Sequence, residues 1–375
     1  ALVSYYAIGL FVCCTVCHGE LASLKPSSRH LTAYYLSISA GGAIGGLLVA
    51  AVAPAVLNAT LDLAILLPLV AALIIFVAMR RWPDTVEPAW RWLSLAFLLA
   101  ILAIDTTYMA QQEIEDLAIA RVLERNFYGA LRVWDSNNAR VLQNGNVVHG
   151  RESLVPNLER EPASYYSRVS GVGLAIGVKE LQGPVNLGII GLGTGTVAAY
   201  GRAGDSYKYY EINPAVRDIA RRDFRYLTLS GAKGNIVIGD ARLSLEREAP
   251  QNFDVLAIDA FTSDSIPVHL LTREAFALYW RHLKPDGVLA VHVSNKYVDL
   301  GPVTAAAAAA MGKTARVIGN LDDAQNNIDA STWVLVANDP AFFESPSFLN
   351  AAMIPVPKGF RVWTDDFSNL WNSLR

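Results

Sequence analysis

Val185-Asn-Leu-Gly-Ile-Ile-Gly-Leu-Gly-Thr-Gly-Thr196 is an apolar run of strand length that breaks into glycines at Gly191, Gly193 and Gly195. An acid, Glu211, follows sixteen residues after the last of them. That order reads as strand, tight turn, helix start, then a second strand ending in a carboxylate placed for ribose hydroxyls. The glycines let the backbone come close to a nucleoside. Two more acids close short apolar runs, Asp240 after Ile236-Val-Ile-Gly239 and Asp259 after Phe253-Asp-Val-Leu-Ala-Ile258. A fourth run, Gly287 to Ser294, follows the turn signal Lys284-Pro-Asp-Gly287, and helical segments lie at Pro214 to Phe224 and Thr272 to His282. Strands alternating with helices imply a parallel α/β sheet, whose ligands bind at the carboxyl ends of the strands. Each acid taken singly also fits a turn or a helix N-cap. Three in register behind a glycine loop favour a nucleoside site.

Spacing alone leaves a nicotinamide dinucleotide and S-adenosylmethionine (SAM) both open, and the glycines run G-x-G-x-G, not G-x-G-x-x-G. Gly239-Asp240-Ala241 is the element typical of adenine recognition in the SAM-binding class I methyltransferase-like fold. Residues 122–300 resemble the spermidine synthase (polyamine aminopropyltransferase) family. The matching pieces are Leu142-Gln-Asn-Gly-Asn-Val-Val-His-Gly150, the glycine loop, Tyr209-Tyr-Glu-Ile-Asn-Pro214, Gly239-Asp-Ala-Arg242, Ile258-Asp-Ala-Phe-Thr-Ser-Asp264, Leu271-Thr-Arg-Glu-Ala-Phe276 and Leu283-Lys-Pro-Asp-Gly287. With the apolar segment ahead of it, the chain resembles the bacterial major-facilitator/spermidine-synthase fusion proteins. The resemblance implies a class I methyltransferase-like Rossmann sheet preceded by a small β-hairpin domain, behind membrane helices. The expected division is 1–112 for the membrane helices, 113–160 for a linker and small β-domain, and 161–375 for the nucleoside-binding domain.

The chain of 375 residues is 53% hydrophobic and 17% charged, and the apolar excess sits in the first 112 residues. Four segments approach the length that spans about 30 Å of hydrocarbon: Leu2 to Cys17, Ala33 to Leu57, Leu61 to Met79 and Leu93 to Met109. Gly41-Gly-Ala-Ile-Gly-Gly46 suits close helix packing in lipid. Asp105, an acid inside the fourth segment, is either functional or close enough to the interface to reach water. The chain begins within the first segment with no initiator Met, so an upstream portion is expected to be missing. Loop charges at Lys25, Arg29, Arg80, Arg81 and Arg91 place the large domain outside the cytoplasm by the positive-inside rule. SAM is cytoplasmic, which argues the opposite and is given more weight. The expected location is the bacterial inner membrane, multi-pass. A net charge of −3 carries no basic signature for nucleic acid. The three cysteines, Cys13, Cys14 and Cys17, all lie in the first apolar stretch, so neither a disulfide scaffold nor a metal site is expected.

Between Phe127 and Val148 alternating runs are punctuated by Ser136-Asn-Asn138 and Asn144-Gly145, which are hairpin signals. In the family, such hairpins cover the active-site mouth, decarboxylated SAM donates a three-carbon amine, and an aspartate after the fourth strand is the base. Carried over, Asp259 and Asp264 are the catalytic acids; which is the base stays open, and Asp259 is favoured for contact with an amino group. The family's Tyr-His-Glu acceptor element corresponds to Ser164-Tyr-Tyr-Ser-Arg168, so Tyr165 and Tyr166 are candidates and the acid is absent. His149 and Glu152 occupy the region of the family's hairpin glutamine. Asp365 and Asp366, in Trp363-Thr-Asp-Asp366, stand as replacement acceptor acids or as a capped helix start. Gly191, Gly193, Gly195, Glu211, Asp240 and Ala241 are the expected nucleoside contacts. His269, His282 and His292 read as core or surface histidines.

Two further readings compete with an aminopropyltransferase acting on a small amine. One is a methyltransferase or aminocarboxypropyl transferase for a lipid or amphipathic acceptor, with Arg168 or Arg242 meeting the carboxylate of intact SAM. The other is a non-enzymatic nucleoside sensor or transporter. The partners implied are the acceptor, the lipid bilayer and a second copy in a homodimer.

Overall fold

The computed structural model describes residues 2–80, 87–145, 147–261 and 266–374. It divides into two compact units, Ala1–Ala130 and Leu131–Arg375.

The first unit holds α1 (Leu2–Ser23), α2 (Leu31–Leu47), α3 (Ala53–Val56), α4 (Asp62–Arg80), α5 (Pro88–Ile119) and a short strand β1 (Val122–Asn126). A π-helical turn, Leu48–Val52, joins α2 to α3 without a break in the helical path. The four expected apolar segments are therefore helical. Two stretches, Ser28–Val56 and Pro88–Tyr108, are long and apolar enough to cross a membrane by length and composition. Their large side chains face outward: Leu36 is 68% exposed, Leu47 63% and Phe97 66%. A Cβ on Gly41, Gly42, Gly45 or Gly46 would meet nothing, so among the described residues no helix packs on that stripe. Arg125, just past the helices, ties back to the Asp62 carboxylate at 2.7 Å and to the Ala59 carbonyl at 3.0 Å. The side chain of Asp105 lies outside the described residues.

The second unit opens with β2 (Gly129–Ser136), β3 (Ala139–Asn144) and β4 (Val147–Ser153), an antiparallel meander. Asn137 and Asn138 both adopt positive φ, as a two-residue hairpin turn requires. Next come α6 (Gly171–Glu180), β5 (Asn186–Ile190), β6 (Ser206–Glu211), α7 (Pro214–Asp223), α8 (Tyr226–Leu229) and β7 (Lys233–Ile238). The chain continues through α9 (Ala241–Arg247), β8 (Phe253–Ile258), α10 (Arg273–His282), β9 (Leu283–His292), α11 (Gly301–Ala310), β10 (Thr314–Asn320) and β11 (Ser331–Ala337).

These strands form a seven-stranded sheet in the order β10-β11-β9-β8-β5-β6-β7. From β7 to β9 the strands are parallel, and β11 runs antiparallel to both β9 and β10. This is the Rossmann-like, SAM-methyltransferase-type α/β sheet expected from the sequence. Every residue of β8 is buried, as befits a central parallel strand covered on both faces. The turn signal at Lys284–Gly287 falls within β9, where the register with β8 shifts between Phe253 and Val255. The alanine-rich α11 is buried along most of its length. Small side chains let a helix lie close to the sheet.

Chain order reverses between β5 and β8, because β5 has β6 on one side and β8 on the other. Such a switch point opens a crevice at the carboxyl ends of the strands. The Asp259 amide donates to the Ile190 carbonyl, and the Gly191 amide to the Tyr210 carbonyl, so all three strand ends meet there.

Candidate active site

The glycine loop leaves β5 with Gly191, Gly193 and Gly195 at φ +99°, +54° and +80°. Side chains rarely adopt that backbone region. Space restricts two of these positions as well. A Cβ on Gly191 would overlap the Asp259 carbonyl oxygen, and one on Gly193 would sit 2.6 Å from the His149 carbonyl oxygen. The close approach these glycines permit is thus first of all chain to chain. It brings the end of β8 and the middle of β4 onto the loop. Across that contact, a Cβ on Gly150 would fall 2.5 Å from the Thr194 hydroxyl oxygen.

Glu211, at the end of β6, is 8% exposed. One carboxylate oxygen accepts from the Leu192 amide at 2.9 Å and the other from the Asn213 amide at 2.8 Å. Burial pushes its carboxyl above the ordinary range, and those amide bonds oppose the shift. The acid is therefore pre-positioned beside the glycine loop, where its remaining lone pairs suit a pair of vicinal hydroxyls. Asp240 N-caps α9 by accepting from the Leu243 amide at 2.9 Å, with the His269 Nε2 at 3.1 Å from its other oxygen. Ala241 is the first helical residue behind it. The N-cap reading and the strand-end reading of Asp240 hold together.

Asp259 lies immediately past β8, with its side chain 4% exposed. The Tyr166 hydroxyl donates to its Oδ2. His292 Nδ1 lies 2.6 Å from its Oδ1, and His292 Nε2 lies 2.8 Å from the Ser294 hydroxyl. That hydroxyl accepts from the Thr332 amide at 2.7 Å, which leaves its own hydrogen for His292 Nε2. These partners suit an Nδ1–H tautomer with Nε2 as acceptor. The imidazole is stacked between Trp333 (ring centroids 4.6 Å apart) and Tyr165 (4.7 Å), with the Phe261 ring at 5.1 Å.

The tyrosine pair is held from several directions. Ser164 takes a positive φ of +59° and donates to Asp329 at 2.6 Å. The Tyr165 carbonyl accepts from the Trp333 indole at 3.1 Å, and the Tyr166 carbonyl from the Tyr200 hydroxyl at 2.6 Å. Burial raises both phenols well above their ordinary pKa, with Asp259 adding to the effect. Both stay protonated, so Tyr166 is a fixed donor.

A cavity of about 800 Å³ opens beside this cluster, with His149, Arg151, Tyr165, His292 and Ser294 among its walls. His149 Nε2 is buried without a hydrogen-bond partner. Burial lowers its pKa and Asp259 opposes the shift.

The other acceptor candidates lie elsewhere. Glu152 is fully buried and accepts from the Arg225 amide at 3.0 Å and its guanidinium at 3.2 Å. It fastens β4 to the start of α8. Asp365 and Asp366 line a second space of about 650 Å³ together with Asp240, Arg242 and His269. There Arg242 clasps Asp365 at 2.5 and 2.7 Å and Thr272 adds a bond at 2.8 Å, which holds its carboxyl down to about 2. Arg168 pairs with Glu161 at 3.1 Å. Asp264 lies outside the described residues.

The sequence singles out neither Ser294 nor Arg151, and His292, which reads there as a core or surface histidine, sits instead at the centre of this cluster. For His292 the available signal was a lone histidine closing an apolar strand at the same end of the sheet as Asp259.

No family model matches the chain. Over 131 residues it is 33% identical to a polyamine aminopropyltransferase of Vibrio vulnificus (strain CMCP6), a match covering 33% of this chain. The chain spans 41% of the length of that curated relative. Among solved structures it is similar to spermidine synthase from Thermotoga maritima, at 16% identity and TM-score 0.42, over 64% of this chain and 78% of that one. It is also similar to an O-methyltransferase from Bacillus cereus in complex with SAH, at 18% identity and TM-score 0.34, over 45% and 81% of the two chains.

Proposed function

We propose that the second unit is a spermidine-synthase-like transferase that uses SAM or decarboxylated SAM, moves an aminopropyl-type group to an amine and releases methylthioadenosine. The observation that carries this reading is the buried Tyr166–Asp259–His292 cluster at the switch point, between the glycine loop and a cavity large enough for a second substrate. The sequence match to a polyamine aminopropyltransferase supports the same class.

The reaction is an in-line displacement at a carbon next to a sulfonium. The sulfonium is already a good leaving group, so the protein's tasks are alignment and proton removal. On this reading Glu211 takes the ribose hydroxyls and Asp240 with Ala241 borders the adenine. The amine arrives as an ammonium ion and must lose a proton to expose its lone pair. The Ser294 hydroxyl takes that proton and passes its own hydrogen to His292 Nε2. Asp259 holds the ring in the accepting tautomer and stabilises the imidazolium that forms, and Tyr166 fixes Asp259. The aromatic rings around His292 keep water from competing. The lone pair then attacks the propyl carbon, the carbon–sulfur bond breaks, and its electrons remain on sulfur as methylthioadenosine.

The first unit anchors the enzyme in the bacterial inner membrane, and its outward-facing apolar helices support this reading. The large domain is then cytoplasmic, where SAM is made, against the loop charges.

The test is mass spectrometry of the nucleoside formed by purified protein in native lipid extract with equal SAM and decarboxylated SAM. Methylthioadenosine is the expected product. S-adenosylhomocysteine would replace the assignment with methyl transfer.

A further inference from the structure

We infer that the cavity beside His292 recognises a carboxylate on the molecule bound there, through Arg151 at its wall and Lys296 at its rim. The inference rests on the reading that this cavity receives a transfer substrate.

Among the described residues the cavity walls carry two cations, Arg151 and Lys296, and one acid, Asp329. Asp329 is already engaged, by an Arg151 terminal nitrogen at 3.1 Å and by the Ser164 hydroxyl at 2.6 Å. Asp259 stands behind His292 with both oxygens occupied. His149 is held neutral by burial. Among the described residues a diamine bearing two positive charges would therefore meet an unpaired cation, Lys296, and no free acid.

Spare donors point the same way. Arg151 pairs with Asp329 through one terminal nitrogen at 3.1 Å, and its side chain stays 34% exposed at the cavity wall. A guanidinium engaged through a single terminal nitrogen keeps further donors for a carboxylate. Lys296 sits on the turn after β9, which Asn295 fixes by accepting from the Tyr297 and Val298 amides at 2.8 Å each. Lys296 supplies a mobile second charge on the same occupant. Arg168 and Arg242, the other candidates for a carboxylate, pair with Glu161 and Asp365 and do not line this cavity.

A carboxylate reaches this cavity from one of two sources. It belongs to the acceptor, which is then an amino acid carrying a side-chain amine, or to the methionyl part of intact SAM. Two matched pairs of probes separate them: ornithine against putrescine, and SAM against decarboxylated SAM. Each pair differs only by the carboxylate. The experiment is calorimetric titration of the full chain in detergent with all four, for wild type, R151Q, R151K and K296Q.

In at least one pair the carboxylate-bearing member should bind roughly tenfold or more tightly. R151Q and K296Q should each erode that preference, and R151K should keep part of it. Equal or tighter binding of the decarboxylated member in both pairs overturns the inference. So does a preference untouched by both R151Q and K296Q. Lys296 is exposed, so K296Q gives a clean readout even if R151Q fails to fold. Because binding is read without turnover, a carboxylate preference in a protein that forms no methylthioadenosine would sink the proposed reaction and leave this inference standing.

Discussion

Asp259→Asn places an amide where a carboxylate now accepts from two donors. The Tyr166 hydroxyl and His292 Nδ1–H both point at it, inside a site where the Asp259 side chain is 4% exposed. The Asn oxygen satisfies one donor, and its NH₂ faces the other. The cheapest relief is for His292 to change tautomer, so that Nδ1 accepts from the amide and Nε2 carries the proton. Nε2 can then no longer take the proton that Ser294 passes on. Misplacing the proton in this way costs about 10³–10⁴ in turnover. Stability should fall by about 1–3 kcal/mol, the range for one buried polar group left poorly paired. Methylthioadenosine should still bind within about threefold, because Glu211 and the glycine loop are untouched. His292→Gln should cost about as much turnover, and the double variant should lose little more, since the two residues act as one unit. The assay is release of methylthioadenosine followed by mass spectrometry, with calorimetry for nucleoside binding. A D259N enzyme within tenfold of wild-type turnover would refute the reasoning, as would losses that add in the double variant.

Gly191→Ala should be destabilising by several kcal/mol or leave the protein insoluble, because the residue sits at φ +99° and its methyl would overlap the Asp259 carbonyl; thermal unfolding of the purified variant checks this. Glu152→Gln should lower stability by about 1–3 kcal/mol through the weakened Arg225 tie, with Arg225 itself 42% exposed; chemical denaturation checks that, and turnover of the folded fraction should change little. His149 has its pKa lowered by burial, so the folded state binds fewer protons than the unfolded chain once pH falls below the ordinary histidine value near 6.5. Its contribution is therefore present above that value and lost as pH falls. His149→Gln should lose less stability than wild type between pH 7.5 and 5.5, a difference that melting curves at the two pH values measure and that an unchanged slope would contradict.

What the sequence disclosed follows the range of the interactions involved. The glycine loop and the acids ending β6, β7 and β8 are local signals, each written in a few consecutive residues. They placed the crevice. The strand β10 and the helix α11 were not legible. The alanine run after Gly301 has no apolar periodicity, and β10 is an edge strand of mixed polarity. By spacing alone His292 reads as a core or surface histidine, since it forms no metal-ligand pattern with His269 and His282. Its significance depends on Asp259, Tyr165 and Trp333, which come from three other segments. Glu152, by contrast, looked like an acceptor acid by its place in the motif, and only the position of Arg225 makes it a structural tie.

The division of labour along β4 has a physical cause that a period-two reading misses. The pairing of β3 with β4 slips between Leu142 and Gln143: Leu142 faces Gly150, Gln143 faces Val148, and His149 is left without a partner. That extra residue is a β-bulge, a device that re-aims side chains. Val148 and His149, consecutive in sequence, consequently both line the cavity, as does Arg151. The register beyond the bulge is set by Gly150. It must face Thr194, where a Cβ would fall 2.5 Å from the hydroxyl oxygen. Glu152, two residues on, shares that inward face and is fully buried. Slipping the strand by one residue would send Glu152 into the cavity and bury Arg151 against the loop, which exchanges an anion-seeking wall for a cation-seeking one. The same contact that seats the glycine loop against β4 thereby decides which charge the neighbouring cavity presents.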